Sequence, residues 1–129
     1  MKKFLIALAA MMSFATGAAA QDAAQGIWQT EVDDGAFAYV TIAPCGAAFC
    51  GHISRTFTLE GEYQSENIGK MLVIDMVPNG DGSYDGRVWR PSNDKIYIGK
   101  MDVAGNALRL RGCVAGGLIC ASQNWVRVQ

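Results

Sequence analysis

Residues 95–114 read KIYIGKMDVAGNALRLRGCV, and this stretch decides the fold class. In its second half Leu108 and Leu110 alternate with arginines, so successive side chains are apolar and charged in turn. A period of two is typical of a strand that buries one of its faces. Gly105-Asn106 lies between the two halves and suits a tight turn with positive φ. The stretch therefore predicts two antiparallel strands joined as a hairpin.

Similar short segments, separated by turn residues, fill the rest of the chain after the first twenty residues. The predicted strands are Gly26 to Val32, Phe37 to Ala43, Phe49 to Phe57, Lys70 to Val77, Tyr84 to Trp89, Lys95 to Val103, Ala107 to Val114 and Ile119 to Val128. Eight strands can close into a barrel without exposed edges, and a two-sheet sandwich is the alternative. We predict an all-β, eight-stranded antiparallel barrel with a shallow or partly open cavity. The long connection Thr58 to Gly69 predicts a lid, a short helix or a loose loop.

The N-terminal segment has the pattern of a secretory signal peptide. Lys2 and Lys3 precede an apolar run, and Ala18-Ala19-Ala20 precedes polar Gln21. The apolar run is shorter than the roughly 20 residues that span a bilayer, so no stable membrane anchor is expected. We predict a signal peptide at 1–20, one domain at 21–129, and a periplasmic or secreted location. Nine basic and twelve acidic residues remain after cleavage, which disfavours nucleic acid as a partner.

All four cysteines lie in the predicted domain, in two local pairs. Cys45 and Cys50 bracket one glycine-containing segment, and Cys113 and Cys120 bracket another. Export to an oxidising compartment favours disulfides, and we predict the two local pairings among the three that are available. Zinc is disfavoured because neither pair has zinc-knuckle spacing and the chain has only one histidine.

Two aromatic segments lie at the ends of the predicted barrel. Gly26-Ile27-Trp28 opens the first strand, and Trp125-Val126-Arg127 closes the last. The pairing resembles lipocalin and wider calycin barrels, and this resemblance implies that Trp28 packs beneath Arg127 at the closed end. A cation–π contact there would have structural value. The alternative is that Trp28 and Trp125 are ordinary core aromatics.

A second resemblance covers nearly the whole predicted domain. The chain resembles the secreted bacterial family catalogued as domain of unknown function 2147. The matching segments are Gly26-Ile27-Trp28, Cys45, Cys50-Gly51-His52-Ile53, Arg87 to Pro91, Lys95-Ile96-Tyr97, Arg111-Gly112-Cys113, Cys120 and Gln123-Asn124-Trp125-Val126-Arg127. The resemblance implies a lipocalin-like fold outside the cytoplasm and supplies no activity.

Several residues are candidates for lining a binding site. They are Trp28, Tyr39, His52, Trp89, Tyr97, Arg109 and Arg111. The two arginines leave the same strand face, so they line a ligand's acidic group if that face is interior and are solvated if it is exterior. A slip of one residue in register would exchange these roles for the aromatics as well.

Catalytic and metal-binding patterns are weak. His52 is the only histidine and no nucleophile motif accompanies it, so we predict no catalytic residues and no enzyme. The segment 79–85 begins like a calcium loop, but Arg90 stands where the loop needs a glutamate. We therefore expect no metal site and no cofactor.

The sequence favours one function and leaves a second open. We expect an exported binding protein for a small apolar or amphipathic molecule of the cell envelope, since barrel mouths are frequent ligand sites. The alternative is an envelope protein-interaction module, such as an inhibitor of a cell-wall hydrolase. Its contact loops would be the cysteine-pinned tips at Gly46 to Phe49 and Val114 to Ile119.

Overall fold

The computed structural model describes residues 22–129, and this part of the chain forms antiparallel β-structure with one short 3₁₀ turn at Ala115–Gly117. The predicted signal peptide lies outside the described residues. The strands are β1 Gly26–Gln29, β2 Ala36–Cys45, β3 Ala48–Thr58, β4 Gly61–Tyr63, β5 Met71–Pro78, β6 Ser83–Arg90, β7 Lys95–Ala104, β8 Ala107–Val114 and β9 Ile119–Arg127.

Hydrogen bonding closes the sheet on itself. The strand order is β2-β1-β9-β8-β7-β6-β5-β3-β4, and β2 also pairs with β3. Eight strands, all but β4, therefore form a closed antiparallel barrel, which confirms the predicted fold class. The closure also excludes the sandwich, because a sandwich would leave two sheets with free edges.

Two segments differ from the sequence prediction. The first strand ends at Gln29 rather than Val32, because the chain turns tightly at 33–36 through a bridge between Asp33 and Ala36. The connection 58–69 is more ordered than a loose loop and contains no helix, because β4 folds back onto the end of β3. The barrel thus gains a small hairpin at one of its ends.

The predicted alternation sets which side chains point inward. In β8 Leu108 and Leu110 are buried, while Arg109 between them is exposed. Burial of such leucines supplies the main driving force for closure, about 1.5–3 kcal/mol each. The cluster of buried residues is Ala24, Trp28, Ala38, Val40, Ile42, Ile53, Leu72, Val73, Met76, Tyr84, Val88, Met101, Leu108, Leu110 and Trp125.

A bulge in β3 interrupts the alternation. Tyr39 pairs with Arg55 and Val40 pairs with Ile53, so Ser54 is the extra residue. As a result Ile53 and Thr56 are both buried although they are three positions apart. The bulge brings the Thr56 side chain into the wall, where its hydroxyl donates a hydrogen bond to the Tyr63 carbonyl oxygen.

The part of the barrel around Gly51 and Gly99 is closely packed. A Cβ at Gly51 would lie 2.8 Å from Val40 Cγ1, and one at Gly99 would lie 2.6 Å from Met76 Cε. Both distances are shorter than van der Waals contact, so only glycine lets these strands approach their neighbours this closely. A larger side chain at either position would force the neighbouring strand or side chain to move.

Candidate functional site

The barrel has two different ends. Strand directions place the connections at 30–35, 59–70, 91–94 and 115–118 at one end, here called the mouth. The connections at 46–47, 79–82 and 105–106 lie at the opposite end, here called the base. A ligand would have to enter through the mouth, because the base is covered.

Trp28 and Arg127 cover the base. The guanidinium carbon of Arg127 lies 4.2 Å from the centroid of the Trp28 ring, and Trp28 is fully buried. Arg127 also donates hydrogen bonds to the carbonyl oxygens of Ala23, Gln25 and Gly105, at 2.6, 2.8 and 3.3 Å. Trp28 thus lies beneath the barrel as part of the closure and does not line a cavity.

Residues 22–25 complete this cover. The Trp28 indole nitrogen donates to the Ala24 carbonyl at 2.8 Å, and Ala24 is fully buried. The Tyr84 hydroxyl donates to the Asp22 carboxylate across the base. Burial first, and this hydrogen bond second, raise the pKa of Tyr84 above its usual value. The first described residues of the chain are therefore part of the folded domain.

A cavity of about 740 Å³ opens at the mouth. Its inner wall is largely apolar and consists of Ala38, Ile53, Leu72, Val88, Leu110 and Trp125. Gln123 is also part of this wall, but its side-chain oxygen already accepts a hydrogen bond from the Trp125 indole nitrogen at 2.9 Å. The deep part therefore suits an apolar group.

The rim of the cavity is polar and charged. Arg90 donates two hydrogen bonds to Asp33, each 2.9 Å long, and Ser92 donates a third at 3.3 Å. The Arg90 guanidinium holds the pKa of the Asp33 carboxyl below its usual value. Glu31 and Asp34 also line the cavity. The cavity thus changes from apolar to polar between its depth and its opening.

Three aromatic side chains stand among these polar groups. Trp89, Tyr97 and Tyr63 all line the cavity. The Trp89 indole nitrogen donates to Asp94 at 2.8 Å, and the Tyr97 hydroxyl accepts from the Asn93 amide at 2.7 Å. These bonds hold the Trp89 and Tyr97 rings at the mouth, and the Lys70 ammonium lies 5.4 Å from the centroid of the Trp89 ring.

Tyr39 and His52 do not line the cavity, contrary to their candidate status. Tyr39 lies 4.7 Å from Phe57 between ring centroids, with Arg55 over its face, on the outside of the barrel. His52 pairs with Thr41 and is exposed. Val40 and Ile42 occupy the inward positions of β2, so the residues beside them must point outward.

Arg109 and Arg111 also lie outside. Leu108 and Leu110 take the inward positions of β8, which leaves both guanidinium groups on the outer face. Arg111 pairs with Asp102 at 3.0 Å, and Arg109 is exposed. The sequence left open whether these arginines face the interior or the exterior of the barrel, and the structure places them on the exterior.

Sequence reasoning missed most of the site. Asp33 and Arg90 are 57 positions apart and meet only because the mouth connections converge. Thr56 enters the wall through a bulge that no local pattern announces. The turn signal at Asp33-Asp34-Gly35 was visible, but turns carry no information about what they face.

Both predicted disulfides are confirmed, and they lie at opposite ends. Cys45–Cys50 spans the β2–β3 hairpin at the base, and Cys113–Cys120 spans the β8–β9 hairpin at the mouth. Asp75 approaches the Cys50 sulfur at 3.6 Å, but both sulfurs of this group are already bonded to each other. A metal ion would require thiolates, which the disulfide removes.

A closed eight-stranded barrel with a covered base and an open mouth defines a lipocalin-like protein. The protein HP1028 from Helicobacter pylori, whose structure is described as belonging to the lipocalin family, has the same fold. The TM-score is 0.64 at 16% sequence identity, and the match covers 81% of this chain and 82% of that chain.

The chain belongs to the bacterial family described as "Uncharacterized protein conserved in bacteria (DUF2147)", which matches residues 26–127. No curated protein matches the chain. Within residues 22–129, no helix is long and apolar enough to cross a membrane.

Proposed function

We propose that this protein binds a small apolar or amphipathic molecule in the bacterial cell envelope. The observation that carries the proposal is the cavity of about 740 Å³, with an apolar depth and a polar rim. Ligand sites generally enclose about 300–1,000 Å³. An alkyl chain in the depth would gain about 0.8 kcal/mol for each buried methylene.

The envelope location rests on two further features. Residues 1–20 have the order of a secretory signal peptide, and both cysteine pairs of the domain form disulfides. Disulfides persist in oxidising compartments such as the periplasm. A fractionation of the native host with an antibody to the domain would test this, and a cytoplasmic pool of full-length protein would contradict it.

Binding is tested with a cavity-filling variant and its control. Ala121 lines the cavity, so Ala121→Trp fills it, whereas Ala107→Trp adds the same ring at an exposed position of β8 near the base. We expect the neutral fluorescent probe N-phenylnaphthylamine to bind the wild-type protein and Ala107→Trp, and to bind Ala121→Trp at least about tenfold more weakly. Equal binding by all three proteins would place the probe outside the cavity.

The natural ligand is sought by native mass spectrometry of protein purified from the host envelope. A co-purifying small molecule that Ala121→Trp fails to retain would support the proposal. Wild-type protein that carries no small molecule and also fails to bind the probe would contradict the proposed binding function.

The second candidate function is a protein-interaction module of the envelope. The observation that favours it is the exposed apolar tip of the β8–β9 hairpin, where Leu118 is 87% exposed. The expected contact surface needs correction, because the tips at 46–49 and 114–119 lie at opposite ends and cannot meet one partner surface together. A partner captured from periplasmic extract and lost with Leu118→Ser, but kept with Ala47→Ser at the base, would support this role.

We also propose that the protein acts by binding rather than catalysis. His52, the only histidine, is exposed on the outer wall and pairs with Thr41, away from the cavity. A screen for hydrolase activity tests this, and turnover that His52→Ala abolishes would contradict it.

A further inference from the structure

We infer that the ligand's head group is a cation of the ammonium type. The inference rests on the proposed function, since it concerns the polar end of a molecule whose apolar part fills the cavity. Three features of the mouth carry it: the balance of its charges, its aromatic faces, and the placement of the chain's arginines.

The charges that line the cavity are mostly negative. They are Glu31, Asp33, Asp34 and Arg90. Arg90 is committed to Asp33 through two hydrogen bonds of 2.9 Å, so this pair is neutral as a unit. The Glu31 carboxylate accepts a hydrogen bond from the backbone N–H of Asn124, and neither Glu31 nor Asp34 has a cationic partner among the lining residues. A ligand cation at the mouth would be attracted by both, and an anion would be repelled.

The charges of Lys70 and Asp94, which both contact Trp89, leave this balance unchanged. Lys70 reaches the Trp89 ring, and Asp94 accepts the indole hydrogen bond of the same tryptophan. They are of opposite sign, and both contact the Trp89 side chain. The mouth therefore keeps its excess of negative charge.

Aromatic rings at the mouth also favour a cation. Trp89, Tyr97 and Tyr63 line the opening, and electron-rich ring faces attract ammonium groups by about 0.5–2 kcal/mol in general. The Lys70 ammonium already lies 5.4 Å from the centroid of the Trp89 ring. This lysine already occupies the Trp89 ring, so a ligand ammonium would meet the rings of Tyr97 and Tyr63 instead. Carboxylates combined with aromatic rings are the side chains that recognise ammonium groups.

The arginines that would suit an anionic head group lie elsewhere. Arg109 and Arg111 are on the outer wall, and Arg127 covers the base. Among the residues that line the cavity, a fatty acid carboxylate would meet only Arg90 as a cation, and would have to displace Asp33 to pair with it. Displacement would leave the Asp33 carboxylate without its partner, which makes an acidic ligand unfavourable.

The test compares amphiphiles that share one alkyl chain and differ in charge. Decyltrimethylammonium, decyl maltoside and decanoate are titrated at neutral pH, each below its micelle concentration, by displacement of N-phenylnaphthylamine. We expect decyltrimethylammonium to bind most tightly and decanoate most weakly. Added sodium chloride should reduce the difference, because it screens exposed charges. Decanoate binding as tightly as decyltrimethylammonium would overturn the inference.

Two variants assign the preference to the mouth. Glu31→Gln and Asp34→Asn remove the charges while keeping the side-chain shapes, and each should weaken decyltrimethylammonium binding about two- to fivefold. Decyl maltoside binding should not change. Asp81→Asn removes an exposed carboxylate from the turn at the base and is the matched control. Equal effects of all three variants would show that only the overall charge matters and would also overturn the inference.

The same titrations separate the two proposals. If decyl maltoside binds and the cationic preference is absent, the cavity binds amphiphiles and only the head-group inference fails. If the probe and all three amphiphiles fail to bind, the proposed function itself fails.

Discussion

At the scale of single residues, the base of the barrel depends on a glycine, a tryptophan and an arginine. Gly26 has a φ of +140°, and a Cβ there would lie 2.6 Å from both Arg127 Nη1 and the Gln129 carbonyl oxygen. Only glycine combines this backbone conformation with that space. It lets Arg127 lie over Trp28 while the guanidinium group satisfies the carbonyl oxygens of the crossing segment.

Replacing Arg127 should therefore destabilise the fold. Arg127→Ala removes the cation–π contact and the hydrogen bonds to carbonyl groups, and we expect a loss of about 2–4 kcal/mol in the free energy of unfolding. Urea denaturation followed by tryptophan fluorescence measures it. Arg109→Ala, an exposed arginine on β8, is the control and should change stability by less than about 0.5 kcal/mol. A similar loss in both variants would show that the contacts at the base contribute nothing specific.

Tyr84 should make the free energy of unfolding decrease as the pH becomes alkaline. Because burial and the hydrogen bond to Asp22 raise the pKa of this tyrosine, the folded protein holds the proton more tightly than the unfolded chain does. The resulting stabilisation is full below the usual pKa of 10.0 and is lost as pH rises beyond it. Tyr84→Phe should cost about 1 kcal/mol at neutral pH.

The check is the difference in urea midpoint between wild type and Tyr84→Phe, measured at neutral pH and again above pH 10.0. This difference should shrink in alkali, because only the wild type loses the contribution of the neutral phenol. A difference that stays constant with pH would contradict the assignment.

At the scale of elements, the two disulfide-bonded hairpins have different positions in the barrel. The β2–β3 hairpin closes the base, whereas the β8–β9 hairpin forms part of the mouth. In the latter, Ala115, Gly116 and Gly117 all have positive φ, so its tip is an unusual conformation that two glycines make accessible. The Cys113–Cys120 bond holds the strands on either side of this tip in register.

Removal of either disulfide should lower the free energy of unfolding by a similar amount, but the two removals should affect ligand binding differently. The doubly substituted variants Cys113→Ala/Cys120→Ala and Cys45→Ala/Cys50→Ala should each lose about 2 kcal/mol, because both loops are short. We expect weaker binding of N-phenylnaphthylamine only in the first variant, whose hairpin carries the lining residues Val114 and Ile119. Weaker binding in the second variant alone would refute the assignment of the mouth.

At the scale of the whole molecule, the barrel is divided into a filled half and a hollow half. Met76 and Met101 are fully buried between closely spaced strands toward the base. Leu110 and Val88 face the cavity toward the mouth. We therefore expect the stability of the fold to depend mainly on the filled half, and the proposed binding on the hollow half.

Large-to-small substitutions should reveal this division. Met101→Ala creates a new void in the filled half and should cost about 2–5 kcal/mol. Leu110→Ala enlarges a cavity that already exists, so its cost should lie at the lower end of that range. Urea denaturation compares the two variants, and probe binding should change only in Leu110→Ala. A larger stability loss in Leu110→Ala would show that the mouth half is the better packed one.

Much of the fold could be predicted from the sequence because its signals are local. The alternation of Leu108 and Leu110 with arginines, the glycine-containing turns and the short cysteine spacings each act over a few residues. The candidate site was less predictable. Trp89 and Tyr97 do line the cavity, but His52 and Tyr39 lie outside, because a strand pattern gives two faces without saying which one is interior.

The sequence by itself determined the number and order of the strands in the barrel and the two local disulfides. Only the tertiary structure decided that the ring closes through β1 with β9, that residues 22–25 cross the base, and that Asp33 meets Arg90 at the mouth. Local propensities fix how each segment is built. The contacts of a cavity come from segments far apart in the chain, and these meet only when the whole sheet has curled and closed.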